Sequence, residues 1–208
     1  ASAGEQTAVL INAFDNETGD RSLDWIREGI VSAIGDPLAE QPELYVFGLD
    51  ERTAAYERLG IPETVAVSRA TAIKIGWELG ADILVTGRLS GTHENFRVDA
   101  RILNLAEDSA GVDVAVDGKL DDVMSLAATL SSRLAKELVP GSKLSESDYI
   151  ARPVVPRTAF EPFIRGILAS DPQRRAELFQ NAIRLYPNYW AAIYRLGQAH
   201  YLDSNYKD

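Results

Sequence analysis

The sequence predicts an α+β fold: a mixed α/β layer with a sheet of about five strands and helices packed on it, followed by an all-α segment. Three observations carry this. Strand-length apolar runs and helix-length amphipathic stretches follow one another in the order βαβαβββα over residues 1–140. The last three strands form a meander after two strand–helix units. From about residue 159 the strand signals stop and helical spacing takes over.

Each element has its own reason. Thr7–Phe14 (TAVLINAF) is an apolar run and reads as a buried strand. Asp15–Arg21 is a polar loop turning at Gly19, and Ser22 suits a helix N-cap with Asp24 in the first turn. Leu23, Ile26, Ile30, Ala33 and Ile34 then form one apolar stripe, until Gly35-Asp36-Pro37 ends or interrupts the helix. Leu44–Leu49 reads as the second strand. Asp50–Leu59 is a charged helix closed by Gly60 and Pro62, and Ser68–Leu79 is a further helix with Gly80 just past its end. Asp82–Leu89 is an apolar, β-branched strand. Phe96, Val98, Ala100 and Ile102 alternate with Arg97, Asp99 and Arg101, across a hairpin turn at His93-Glu94-Asn95. After a turn at Glu107–Gly111, Val112, Val114 and Val116 alternate likewise. Asp121 or Asp122 caps a helix whose apolar side carries Val123, Leu126, Leu130, Leu134 and Leu138, and Pro140-Gly141 stops it. Helices are expected on one face of the sheet. The expected domains are 1–140, a linker over 141–158, and helices over 159–208.

Composition narrows the function. The 208 residues are 46% hydrophobic and 25% charged, which suits a folded chain with a medium domain and a smaller one. With no cysteine, disulfides, thiolate catalysis and cysteine metal sites are excluded. Residues 1–140 hold 24 acidic against 12 basic side chains, and residues 141–208 hold 7 against 9. An acidic front half argues against nucleic acid and against anionic membrane surfaces as partners. No apolar run approaches the roughly 18 residues of a membrane helix, so no direct membrane insertion is expected.

A search for chemistry finds little. His93 and His200 are the only histidines, and they fall in different segments. His93 reads as a solvated turn residue and His200 as a packing residue. No metal set, glycine-rich phosphate loop or nucleophile motif is present, and Ser131-Ser132 lie mid-helix. The carboxylates come without a second signal such as a neighbouring base. The expectation is no enzyme, no cofactor and no metal. The oxygen-rich loop after the first strand is the alternative ligand site, through Asn12, Asp15, Asn16 and Gly19, because it joins a strand end to a helix start. It lacks the ordered oxygen spacing of a calcium loop.

Several local patterns, taken in order, resemble the N-terminal domain of the TolB family. They are Phe14-Asp15-Asn16 with Gly19-Asp20, Glu28-Gly29, Leu79-Gly80-Ala81-Asp82 leading into Ile83–Gly87, Arg97–Asn104, and Asp117–Asp122. The resemblance covers about residues 7–139. It implies a five-stranded mixed sheet with helices, no catalysis, and contacts with other envelope proteins. Helix pairs stand here where TolB has its β-propeller.

Ile193, Leu196, Gly197 and His200 have the spacing that opens a tetratricopeptide (TPR) unit, and Phe179, Ala182 and Pro187 the spacing that closes one. The segment 159–208 therefore resembles the start of a TPR array. Gly166 and Gly197 match at a separation of 31 residues, against about 34 in the repeat. Arg175 and Pro162 depart from the pattern, as a degenerate first repeat would. Aromatic residues crowd this segment, and Tyr186, Tyr189, Trp190, Tyr194 and Tyr201 with Arg195 are the candidate protein-binding residues. Inter-helix packing is their structural alternative.

Together these readings give a non-catalytic interaction or scaffold segment of a larger bacterial envelope or signalling protein. Its partners are other proteins or peptides, with self-association through an unpaired last helix as a further expectation. The chain opens Ala1-Ser2-Ala3 without Met, read as a cut end after a signal or anchor, so a periplasmic or extracytoplasmic, membrane-tethered setting is expected. A ligand-sensing input domain is the alternative.

Overall fold

Two crossovers running in opposite directions over one central strand set the architecture. The structure, a computed structural model, describes residues 6–61, 67–106, 111–142, 144–151 and 154–205. The stop at Pro62 and most of the turn at 107–111 lie outside the described residues. The strands are β1 (Thr7–Ile11), the two-residue β2 (Asp15–Asn16), β3 (Leu44–Val46), β4 (Ile83–Gly91), β5 (Phe96–Asn104) and β6 (Val112–Gly118). The helices are α1 (Asp24–Ala39), α2 (Leu49–Arg58), α3 (Arg69–Leu79), α4 (Val123–Leu138), α5 (Glu146–Ile150), α6 (Arg157–Leu168), α7 (Pro172–Leu185) and α8 (Trp190–Asn205). The fold is α+β, with a mixed sheet in the order β3-β1-β4-β5-β6 and β2 pairing β4 beside the end of β1.

β1 pairs in parallel with both β3 and β4, whereas β4, β5 and β6 run antiparallel. The chain leaves β1 through α1 for β3 on one side, then returns through α2 and α3 to β4 on the other. Right-handed crossovers in opposite directions put their helices on opposite faces. The helices therefore do not share one face, as the sequence reading had them. Val9, Ile11, Val85, Val98 and Val116 face α1 and α4, while Leu10, Leu84 and Leu103 face α2 and α3. Burial on both faces is why β1 is a continuous apolar run. Each fully buried Leu, Ile or Phe contributes about 1.5–3 kcal/mol.

Some boundaries differ from expectation. β1 stops at Ile11, where the chain kinks so that Phe14 packs over Gly87; a Cβ on Gly87 would overlap the Phe14 ring and the Asp99 carbonyl. Asp20, not Ser22, makes the cap: its carboxylate accepts from Ser22 N at 2.8 Å and starts a 3-10 turn ahead of α1. α1 also runs through Gly35-Asp36-Pro37, because the wholly buried Leu38 anchors its last turn. Leu49 opens α2 instead of ending β3. Asp121 and Asp122 lie in a 3-10 turn, and neither side chain caps α4. Ser68 and Gly80 do bound α3, with Gly80 at φ 70°.

The stretch expected as a linker contains α5. Ser145 and Asp148 cap it reciprocally, and Tyr149 is buried, with its hydroxyl accepting from Gln41 Nε2 at 2.9 Å. α6 then packs on α1, where Phe160 meets Trp25 edge-on at 6.2 Å over Gly29. One apolar core thus runs from the sheet through α1 and α4 into α6, Phe179 and Tyr189.

Candidate functional site

The three last helices are joined by short connections and pack in sequence. Phe163 of α6 contacts Phe179 of α7 at 5.9 Å and Tyr189 at 4.7 Å. Gly166 permits this approach: a Cβ there would lie 2.7 Å from the Phe179 ring and 3.3 Å from Leu178 Cβ. Gly197, its counterpart in the sequence pattern, has nothing within 4 Å of the same position among the described residues. The two glycines carry the same spacing signal but sit in opposite environments. One is filled by the next helix and one is bare.

Around Gly197 the surface is aromatic. Trp190, Tyr194 and Tyr201 are 75%, 66% and 70% exposed, and their spacing with Gly197 puts them on one side of α8. Ile193 borders them. The other candidates divide differently. Tyr189 is buried against Phe163 and Tyr186, and Tyr186 is half-buried. Arg195 is half-buried, reaching Asp50 at 3.7 Å and donating to Gln198 at 3.2 Å. The aromatic group thus splits into a packed pair and an exposed row, which residue types alone could not separate. His200, expected at a packing position, is exposed.

The strand-end loop turns inward on itself. Asn16 Nδ2 donates to the Asp20 carbonyl and to Asp24 Oδ1, and Asn16 Oδ1 accepts from Thr18 N and Oγ1. Gly19 supplies the positive φ of the turn, at 79°. Asn12 is buried and accepts from the Tyr56 hydroxyl at 2.9 Å. Asp15 is exposed at the other end; desolvation raises its carboxyl above the usual range, Arg27 opposes this, and Glu17 adds to it. Asn12, Asp15, Asn16 and Gly19 thus follow one another along a single loop. Their polar atoms mainly brace the loop.

A cleft of about 770 Å³ does open elsewhere, between α1, the β3–α2 junction, α6 and the start of α8. At its floor Arg52, 3% exposed, is paired with Glu28 through both Nη atoms, and Nη1 also reaches the Ile11 carbonyl. Among the described residues Arg52 Nε has no partner. Asp36 and Tyr189 stand on its wall. Burial, and then the Asp36 charge, push the Tyr189 hydroxyl far above its ordinary titration. The sequence marked Glu28 only as part of the Glu28-Gly29 pattern in α1 and did not mark Arg52. A lone Arg and Glu 24 positions apart carry no local signal of pairing.

Among the described residues no group of three or more His, Asp or Glu side chains is arranged to hold a metal ion, and no helix is long and apolar enough to cross a membrane.

Fold and surface together define a class: an α+β layer extended by three packed helices, the last with a bare aromatic side. No protein-family model and no curated protein matches the chain. Among solved structures it is similar to the LpoB C-terminal domain from Escherichia coli, at 17% identity and a TM-score of 0.44, over 56% of this chain and 86% of that one. It is similar to lipoprotein GNA1162 from Neisseria meningitidis, at 17% identity and 0.45, over 66% and 99%. It is also similar to TolB from Acinetobacter baumannii, at 11% identity and 0.45, over 65% of this chain and 29% of TolB.

Proposed function

We propose that this chain is a non-catalytic protein-interaction segment whose docking surface is the exposed side of α8. The contrast between the two glycines carries the reading. Gly166 receives Phe179 and Leu178 of α7, whereas Gly197, flanked by Trp190, Tyr194 and Tyr201, meets nothing within 4 Å among the described residues. A glycine notch flanked by large aromatic side chains suits a helix that presents an apolar side chain to it. Aromatic anchors concentrate binding energy at such contacts. The contrast also supports the reading of 159–208 as the opening of a TPR array, in which the next helix would take the place that α7 takes on α6. A periplasmic or extracytoplasmic setting is proposed with it, on the ordered sequence resemblance to the TolB N-terminal domain. The ligand-sensing alternative would use the loop at Asn12, Asp15, Asn16 and Gly19, where Asn16 is already bonded to Thr18, Asp20 and Asp24 and Asn12 to Tyr56.

Site-specific photo-crosslinking in the full-length protein tests the docking surface. A photoreactive residue at Trp190 or Tyr201 should give a discrete protein adduct. The same residue at Asp113, on the far side of the sheet, should not. Adducts of equal yield at all three positions would remove α8 as the interface.

A further inference from the structure

We infer that the cleft beside α1 is a binding site for an alkylammonium group, with Asp36 as its counter-charge and Phe163, Tyr189 and Tyr194 as its aromatic wall. The site shares Tyr194 with the Gly197 notch but does not depend on α8 docking a helix. Its volume of about 770 Å³ is in the range of small-molecule pockets, and aromatic and aliphatic side chains supply much of its lining.

Charge complementarity selects the ligand. Among the described residues two cations reach the cleft, and each is already held by a carboxylate of the chain. Arg52 is locked to Glu28 at the floor, and Arg195 is drawn to Asp50 at the rim. Asp36 is left over: among the described residues it makes no hydrogen bond and no ion pair. Its side chain reaches solvent on one side, while on the other the surrounding protein, and then Glu40, hold the carboxyl above the usual range. A cation entering the cleft would meet Asp36 and the aromatic residues together, and each attracts it, the rings through their negative faces. An anion would meet Asp36 and Glu40, and among the described residues both guanidinium groups that line the cleft already face a carboxylate. The apolar lining favours a cation on an alkyl stem over a bare metal ion. Free amines and protein lysine side chains share this chemistry.

The test is titration of the whole chain followed by amide chemical shifts. Hexylammonium chloride is the free-amine probe, an amide-capped Ala-Lys-Ala peptide the lysine probe, and 1-hexanol the neutral isostere. Saturable shifts at Gly35, Asp36 and Tyr189 are expected for hexylammonium below about 10 mM, with 1-hexanol at least about tenfold weaker. Asp36→Asn should weaken hexylammonium about tenfold, while Asp113→Asn leaves it unchanged. If the peptide binds more tightly than hexylammonium, the site takes a protein lysine; if more weakly, a free amine. Three results would overturn the inference: no saturable shift, equal binding of 1-hexanol, or equal weakening by Asp36→Asn and Asp113→Asn. The last would mean general attraction to a chain of net charge −10.

Discussion

Arg52 and Glu28 show how much one pair of side chains can hold at stake. Both are buried at the junction of α1, α2 and the end of β1. Removing one charge leaves the other stranded, at a cost of about 3–5 kcal/mol. Arg52→Met should therefore lower stability by about that amount in urea unfolding, and Glu28→Leu combined with Arg52→Met should recover most of it. Asp36 gives the opposite expectation. Its folded-state pKa is raised, so the native chain binds this proton more tightly than the unfolded chain does. That favourable contribution is complete below the unfolded carboxylate range and disappears as pH rises through the folded value. Asp36→Asn should thus raise Tm at pH 7 by about 1–2 °C and leave it unchanged near pH 3, by calorimetry. The Tyr189 hydroxyl, which feels the Asp36 charge, keeps its proton across this window and so does not reverse the sign.

At the scale of elements, packing decides what a propensity is worth. Gly166 and Gly197 both sit inside helices, where Ala is intrinsically preferred by about 1 kcal/mol. Gly166→Ala drives a methyl into Phe179 and should destabilise by about 1–3 kcal/mol. Gly197→Ala meets nothing among the described residues and should stabilise by up to about 1 kcal/mol, so the two variants should move Tm in opposite directions. The sheet shows a similar contrast. Arg97, Asp99, Arg101, Asp113 and Asp117 tile the uncovered side of β5 and β6 with ion pairs. Arg133 donates from α4 to the Ala115 carbonyl of β6, which occupies part of that edge strand. Alternation along β5 made the tiled side legible in the sequence. Nothing local linked Arg133 to residue 115.

For the whole molecule, the shared core makes the helical segment and the sheet depend on each other. Phe160 reaches Trp25 and Gly29 of α1, Tyr149 is tied to Gln41, and Arg165 donates to the Ser22 carbonyl at 2.8 Å. Division of the chain at 141–158 is a proposal, and unfolding tests it. With this core, near-ultraviolet and far-ultraviolet dichroism should report one coincident thermal transition. Phe160→Ala should lower it by about 3–5 kcal/mol without splitting it. Two separated transitions would instead support two independent units.

The sequence by itself determined the element types, their order and the α+β class, because hydrophobic periodicity and local caps act within a few residues. Ser68, Gly80 and the alternation of β5 are read within one turn or one pleat. α5 was also written locally, in Ser145 and Asp148, but a proline-bearing, polar stretch masked it as a linker. The tertiary structure decided what depends on distant residues meeting. It placed the helices on both faces, joined Arg52 to Glu28, and filled the space at Gly166 while, among the described residues, Asp36 has no cation and Gly197 no neighbour at the same position. Those outcomes depend on chain crossovers and on which side chains exclude water from one another. Neither is a property of any short stretch of sequence.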